Sequence, residues 1–487
     1  MRSSYVPWVT RGAMGKTDEV RRFTPAGIVF AVLLAALGGA LAGCGSGGGP
    51  GSSAAAPTGS NAATTTSGPG AESPPARLTG RQTVTLRVPA RMEGGTLSSP
   101  HRLEVPKGWT ASVWARVPGA RMEAVTPEGN LLVSVPGEGK VVELSGAGTA
   151  TKEKVVLAGL ESPQGLAFAR RGGGLVLYVG ESDQIDAYPW LGAGEVGKQT
   201  VLAPDLPDET PAGDDIHRQK DVVVAPDGTI YFDVGSSSNA SPADRGYDPP
   251  RGVIDSVAPE GGEVTVVMRG VRNGEGLALA PDGTIWTAIN NRDEIPYPFH
   301  GEAEGQSEAF GQVIRSYVDN HPPDEVVPVS QGRDLGWPLC NPEQGKSTPK
   351  GSLANVPLIP DAVTNPGGKA LDCSGLEPIE VGIPAHSAPL GMSFLDGSKV
   401  PAPWSGGAVL AAHGSWDRQE PRPPAVLWLP WDAKRKTLLP AKTLVGGFQE
   451  PDGERWGRPV DVVPGPEGAL YVSDDTAGAV YKLVPPR

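Results

Sequence analysis

Four times in this chain a short apolar run meets a Pro-acid-Gly turn and continues into a β-branched or aromatic run. The copies are Thr126-Pro127-Glu128-Gly129-Asn130-Leu131-Leu132-Val133, Ala225-Pro226-Asp227-Gly228-Thr229-Ile230-Tyr231-Phe232, Ala280-Pro281-Asp282-Gly283-Thr284-Ile285-Trp286-Thr287 and Gly465-Pro466-Glu467-Gly468-Ala469-Leu470-Tyr471-Val472. Proline presets the first turn dihedral, the acid caps the turn, and glycine supplies the positive φ. Two degenerate copies, Leu166-Ala167-Phe168 to Leu177-Tyr178-Val179 and Met392-Ser393-Phe394 to Val409-Leu410-Ala411, bring the count to six units. One such hairpin cannot bury its own apolar face, so the units must pack on each other. Helical periodicity is scarce, and 67 Gly with 51 Pro make nearly a quarter of 487 residues. These features predict an all-β, six-bladed propeller of the NHL kind. A two-domain β-sandwich is the alternative, but it gives no reason for the repeated turn.

The N-terminus has the pattern of an export signal. Arg21-Arg22 precede an apolar run over 26–42, which closes on Leu41-Ala42-Gly43-Cys44. A basic region, a short apolar core and small residues before a cleavage point describe a secretory leader. Leu-Ala-Gly-Cys resembles the bacterial lipobox, which implies lipid on Cys44 and a protein held outside the cytoplasm at a membrane. An uncleaved anchor helix is the other reading. The expected division is a leader over 1–43, a flexible tether over 44–80 rich in Gly, Ser, Ala, Thr and Pro, a lead-in over 81–104 and the propeller over 105–487.

Beyond Cys44 only Cys340 and Cys373 remain. In an oxidising compartment a pair this sparse predicts a disulfide, with two buried thiols as the alternative. The formal net charge is −13; the leader carries five basic and two acidic residues, so the rest stands at −16. That charge argues against nucleic acid or anionic lipid as partners.

Polar clusters recur just before the first strand of successive units: Gln164, His217 with Lys220, Arg272-Asn273, His386 and Arg458. In a propeller these leading loops converge on one end of the central channel. A titratable imidazole there suits a general base. A ring of Arg, Lys and His suits a planar polyanion, because guanidinium pairs with carboxylates bidentately.

The order of these clusters resembles the pyrroloquinoline-quinone (PQQ)-dependent sugar dehydrogenases, of the glucose/sorbosone dehydrogenase group, over residues 105–484. The resemblance rests on Arg272-Asn273 before a Pro-Asp-Gly turn, Asn290-Asn291-Arg292-Asp293-Glu294, Gly336-Trp337-Pro338, Ala385-His386-Ser387-Ala388-Pro389-Leu390-Gly391, His413-Gly414-Ser415-Trp416 and Gly457-Arg458-Pro459-Val460-Asp461. It implies a soluble quinoprotein glucose dehydrogenase-like propeller that oxidises an aldose, aldehyde or alcohol, with PQQ and calcium as cofactors. It implies His217 as catalytic base, and Gln164, Lys220, Arg272, Asn273, His386, His413, Arg418 and Arg458 around the quinone. The family's acidic calcium loop corresponds to Pro322-Pro323-Asp324-Glu325-Val326, which makes Asp324 and Glu325 the expected metal residues. The chain departs from the pattern at Leu335, at an insert over 296–312 carrying His300, at Lys220 where arginine is common, and at Asp417 where asparagine is expected. A calcium-dependent lactone hydrolase and a non-catalytic binding propeller are the alternatives. The particular sugar and the electron acceptor are not written in the sequence.

Overall fold

The computed structural model describes residues 80–146, 151–209, 217–344 and 351–486, all within one compact unit, Glu72–Arg487. The leader, Cys44 and nearly all of the tether lie outside the described residues. Among the described residues, no helix is long and apolar enough to cross a membrane.

Six antiparallel sheets follow one another, one per predicted unit. Their first strands are Glu123–Val125, Leu166–Arg171, Val222–Val224, Ala278–Leu279, Pro389–Phe394 and Pro459–Pro464. The Pro-acid-Gly turns fall where their chemistry requires. Val125 pairs with Leu131, Val224 with Ile230, Leu279 with Ile285 and Pro464 with Leu470, each pair closing around one turn. Blade six is completed by Thr110–Arg116, which pairs with Ala479–Val484 and so ties the start of the domain to its end. In the lead-in, Arg81–Thr85 pairs with Arg102–Pro106, and Leu97, Leu103 and Val105 join a core with Leu444 and Phe448. Six successive sheets with this closure rule out the sandwich.

Strand faces that alternate in sequence bury their apolar sides between neighbouring blades. Trp286 of blade four is 1% exposed and meets Trp431 of blade five edge-on at 6.1 Å. All six first strands line one axial cavity of ≈ 340 Å³. Space there is limiting: a Cβ on Gly391 would overlap the carboxylate of Asp461 in the next blade. Carboxylates stitch the blades together by accepting backbone N–H groups that no strand pairing satisfies. Asp461 Oδ2 takes Glu123 N at 2.8 Å, and Asp221 Oδ2 takes Leu277 N at 2.7 Å.

Blade four carries two long excursions. One, over 290–323, lies between its second and third strands and has a small core of Ile295, Ala309, Ile314, Tyr317 and Val318. The other, over 329–378, is closed by a disulfide between Cys340 and Cys373, with Cα atoms 5.8 Å apart.

Candidate active site at the mouth of the channel

A second cavity, ≈ 420 Å³, lies on the same axis as the first. Arg121, Glu275 and Leu390 line it, while Met122, Leu277 and Gly391, one or two residues further along the same chains, line the channel. The leading loops therefore converge as the repeat predicts.

Arg121 is the hub. Its Nε donates to Gln164 Oε1 at 3.2 Å, its Nη2 to Glu275 Oε2 at 3.2 Å and its Nη1 to Asp475 Oδ2 at 3.2 Å. Gln164 Nε2 donates to Glu275 Oε2 at 2.7 Å, and Asn273 Nδ2 to Glu275 Oε1 at 3.2 Å. His413 Nε2 lies 3.0 Å from Asp475 Oδ1. Burial pulls the His413 imidazole down to about 4, so it is neutral and donates to that carboxylate. Burial pushes Asp475 upward, but His413 and Arg121 outweigh it and keep it ionised.

His217 stands beside this hub. A Cβ on Gly235 would lie 2.5 Å from His217 Cβ and 3.2 Å from Asn273 Oδ1, so the two side chains flank one glycine. Ser236 Oγ lies 2.8 Å from His217 Nδ1 and 2.8 Å from Ser238 O, so the ring is held in place by a hydroxyl that is itself anchored to the backbone. Burial, aided by the Arg272 charge, holds this imidazole well below its usual range. At neutral pH it is an uncharged base.

A second circuit is built on Arg272, which is 3% exposed. Its Nε and Nη2 donate to the carbonyl and side chain of Asn239 at 3.1 Å, its Nη1 to Asn290 O at 3.1 Å, and Asp293 lies 3.6 Å away. Burial lowers the guanidinium to about 10, so it stays charged. The circuits join where Asn290 N donates to Asn273 O at 3.0 Å. His386 Nε2 donates to Val318 O at 2.7 Å and turns Nδ1 toward Asp293 at 3.5 Å. Its backbone is left-handed at φ 60°, as is Ala388 at φ 50°, the kind of local strain that a binding loop retains. Asp293, His386 and Asp417 each offer one ligand atom within 4.8 Å of the others.

Arg458 completes the mouth. Its Nε and Nη2 donate to His413 O and Gly414 O at 2.8 and 3.1 Å, and its guanidinium lies 4.1 Å from the Trp416 ring centre. Among the described residues it makes no carboxylate ion pair.

Gln164, His217, Arg272, Asn273, His386, His413 and Arg458 thus share one network. Four other expected residues are placed differently. Lys220 is fully buried, its Nζ donating to Pro207 O and Arg218 O at 3.0 and 2.5 Å, so the ammonium is turned away from the cavity. Asp324 accepts the backbone N–H groups of Asn291, Ser387 and Ala388, which makes it a brace between blades four and five. Glu325 is pushed up to about 8 by burial and accepts from Asn291 Nδ2, so it is largely protonated at neutral pH. By distance Asp293, His386 and Asp417 form the candidate cation cluster, in which Asp417 also accepts from Glu294 N and Arg315; Asp324 and Glu325 lie outside it. Arg418 holds its own loop through Glu420 O at 3.0 Å; Asp417 is offset by Arg315 at 2.8 Å. Arg121, Ser236, Glu275 and Asp475 were missed. Arg121 and Glu275 had a signal: each precedes the first strand of its blade, one and four, as Gln164 precedes that of blade two.

The residues fit a planar anion with a cation beside it. Among the described residues, Asn273 Oδ1 is buried with no hydrogen-bond partner, and Arg458 feels Asp475 and Asp474 without forming an ion pair with either. Two carboxylates suit a hard cation such as calcium, although the imidazole is a softer ligand.

A six-bladed propeller that gathers a neutral histidine, an Arg-Asn pair and an arginine over one axial cavity has the architecture of the soluble quinoprotein dehydrogenases. The chain belongs to the TrAA12-like family, which matches residues 103–485. The PQQ domain of pyranose dehydrogenase from Coprinopsis cinerea superposes with a TM-score of 0.62 at 19% identity, over 82% of this chain and 100% of that one. The calcium structure of the Trichoderma reesei carbohydrate-active enzyme family AA12 gives 0.62 at 18%, over 78% and 96%. The soluble aldose sugar dehydrogenase of Escherichia coli gives 0.51 at 16%, over 77% and 99%. An uncharacterized protein of Borreliella burgdorferi is 28% identical over 219 residues; the chain spans about half of that relative, 48%, and the match covers 45% of this chain.

Proposed function

We propose that this chain is a quinoprotein oxidoreductase that oxidises a saccharide at a hydroxyl-bearing carbon. The observation that carries the reading is the state of His217: a neutral imidazole anchored by Ser236, beside Asn273 of the mouth cavity, in a TrAA12-like propeller.

The neutral His217 imidazole takes the substrate's hydroxyl proton, and Ser236 holds the ring in position. PQQ, when bound, supplies the electrophilic carbonyl that accepts the hydride, and a divalent cation polarises that carbonyl. Arg458 would pair with a quinone carboxylate and Asn273 Oδ1 would accept a donor from the bound group. Asp293, His386 and Asp417 are the residues that would hold the cation. The calcium named for the Trichoderma structure and the PQQ named for the Coprinopsis domain support this assignment. Glu275 and Asp475 already balance Arg121, so that arginine positions its neighbours.

The lactone hydrolase reading finds little support among the described residues of the channel: Asp221 and Asp461 have their oxygens on backbone N–H groups, and burial beside Asp461 pushes Glu123 well above the usual carboxylate range, toward its neutral form. The lipid on Cys44 and the aldose as substrate belong to the same proposal. Purified protein titrated with PQQ and calcium should acquire quinone absorbance, which an aldose then bleaches in a single turnover. No absorbance change at saturating quinone and calcium would defeat the reading.

A further inference from the structure

Trp416 is 76% exposed, more than any other large hydrophobic residue described, yet it lines the mouth cavity. An exposed indole costs apolar hydration, and on a loose loop it would carry no meaning. This loop is not loose. Asp417 beside it accepts from Glu294 N at 2.6 Å and from Arg315 Nη2 at 2.8 Å. Gln419 N donates to Asp319 Oδ1 at 3.0 Å, Arg422 Nε to Ala385 O at 2.8 Å, and Arg422 N to Ser415 Oγ at 2.8 Å. Arg458 bonds the two carbonyls before it and sits over one face of the indole, its guanidinium carbon 4.1 Å from the ring centre. One face of the ring is therefore backed by a guanidinium, and the rest is presented to solvent at the cavity on a fixed support.

We propose that Trp416 is a substrate platform: a pyranose ring lies with its C–H face on the indole while its reacting end reaches toward His217. The inference rests on the saccharide reading above and adds the residue that selects for a ring. A flat aromatic face matches the apolar C–H face of a pyranose, and the neighbouring Asp475 and Arg121 offer an acceptor and donors to its hydroxyls. An acyclic aldehyde has no such face and should ignore the platform. A saccharide of several units should use it as well as a monosaccharide does, because the ring is on the open rim.

The test compares wild type, Trp416→Ala and Trp416→Phe as holoenzymes with PQQ and calcium, using D-glucose, maltotetraose and glyceraldehyde. Trp416→Ala should raise KM for the two saccharides about tenfold, a change of ~1.4 kcal/mol in binding, with kcat falling far less. KM for glyceraldehyde should not move, and Trp416→Phe should recover most of the saccharide affinity. Quinone affinity, titrated optically, should match wild type. Equal KM values in wild type and Trp416→Ala overturn the proposal. So does a loss of quinone affinity as large as the loss of sugar affinity, since Trp416 would then merely hold Arg458 in place. Ligand-observed NMR titration of maltotetraose onto quinone-free protein separates the two claims. Trp416-dependent binding without any sugar oxidation by the wild type sinks the activity and keeps the platform. Sugar oxidation with Trp416-independent binding does the reverse.

Discussion

Replacing His217 by alanine tests the chemistry most directly, and its expected signature follows from the geometry. His217 flanks Gly235 together with Asn273, a residue of the mouth cavity, and Ser236 Oγ anchors its Nδ1 at 2.8 Å. Loss of a positioned general base costs on the order of 10²–10⁴ in rate, about 3–5 kcal/mol of barrier. Quinone affinity should survive, because Asn273 and Arg458 remain. The pH dependence adds a second constraint. A histidine acts as base only when unprotonated, and burial with the Arg272 charge lowers its pKa well below 6.5. The acid limb of single-turnover rate against pH should therefore fall well below pH 6.5 in wild type and vanish in His217→Ala. Ser236→Ala removes the hydroxyl that anchors the ring and should lower the rate about tenfold or more, without loss of quinone. The assay is stopped-flow bleaching of bound quinone by excess aldose between pH 4 and 8. Near-wild-type single-turnover rates in His217→Ala would refute the assignment, and so would an acid limb centred above pH 6.5.

Arg458→Ala should weaken quinone binding by on the order of 2–4 kcal/mol in an optical titration, because it removes an arginine at the mouth that, among the described residues, forms no carboxylate ion pair. His413 carries a linkage prediction: its folded pKa is about 4 against about 6.5 unfolded, so the unfolded state binds the extra proton between those values. Its contribution, on the order of 3 kcal/mol, is present above pH 6.5 and lost as pH falls toward 4. Burial raises Asp461 and Asp474 to about 6, which has the opposite sign over part of that window, so the measurement is the difference in urea stability between wild type and His413→Asn. Cys340→Ser with Cys373→Ser should cost about 3–4 kcal/mol in chemical denaturation, from a bridge spanning 33 residues. Mass spectrometry of the membrane fraction should find the mature chain starting at a lipid-bearing Cys44; an intact Met1 would end that expectation.

The four Pro-acid-Gly turns carried the fold, because the determinants of a blade are local. Turn dihedrals, two-residue alternation and β-branched strands all act within about ten residues, and Val125 meets Leu131 wherever the rest of the chain goes. The disulfide was legible for a different reason: beyond Cys44, only two cysteines were left to pair. His217, Arg272, Asn273 and Arg458 were legible as a set because a propeller sends every leading loop to one end of its axis.

What that convergence creates was not legible. Arg121 and Asp475 are 354 positions apart and meet only because blade six closes against blade one. The sequence displays the cations of the ring but not the carboxylates that neutralise them, so Glu275 and Asp475 beside Arg121, and Asp293 beside Arg272, alter the electrostatics of the mouth unannounced. Lys220 lies three residues from His217, yet one stands beside Asn273 and the other turns into the protein, where two carbonyls satisfy its ammonium. Asp324 reads as a metal ligand until three backbone N–H groups between blades four and five claim its oxygens. Residue type states what a side chain can do. Which of its possible partners it meets is decided by how six sheets close around one axis, because a buried polar group must be satisfied by whatever that closure places within 3 Å.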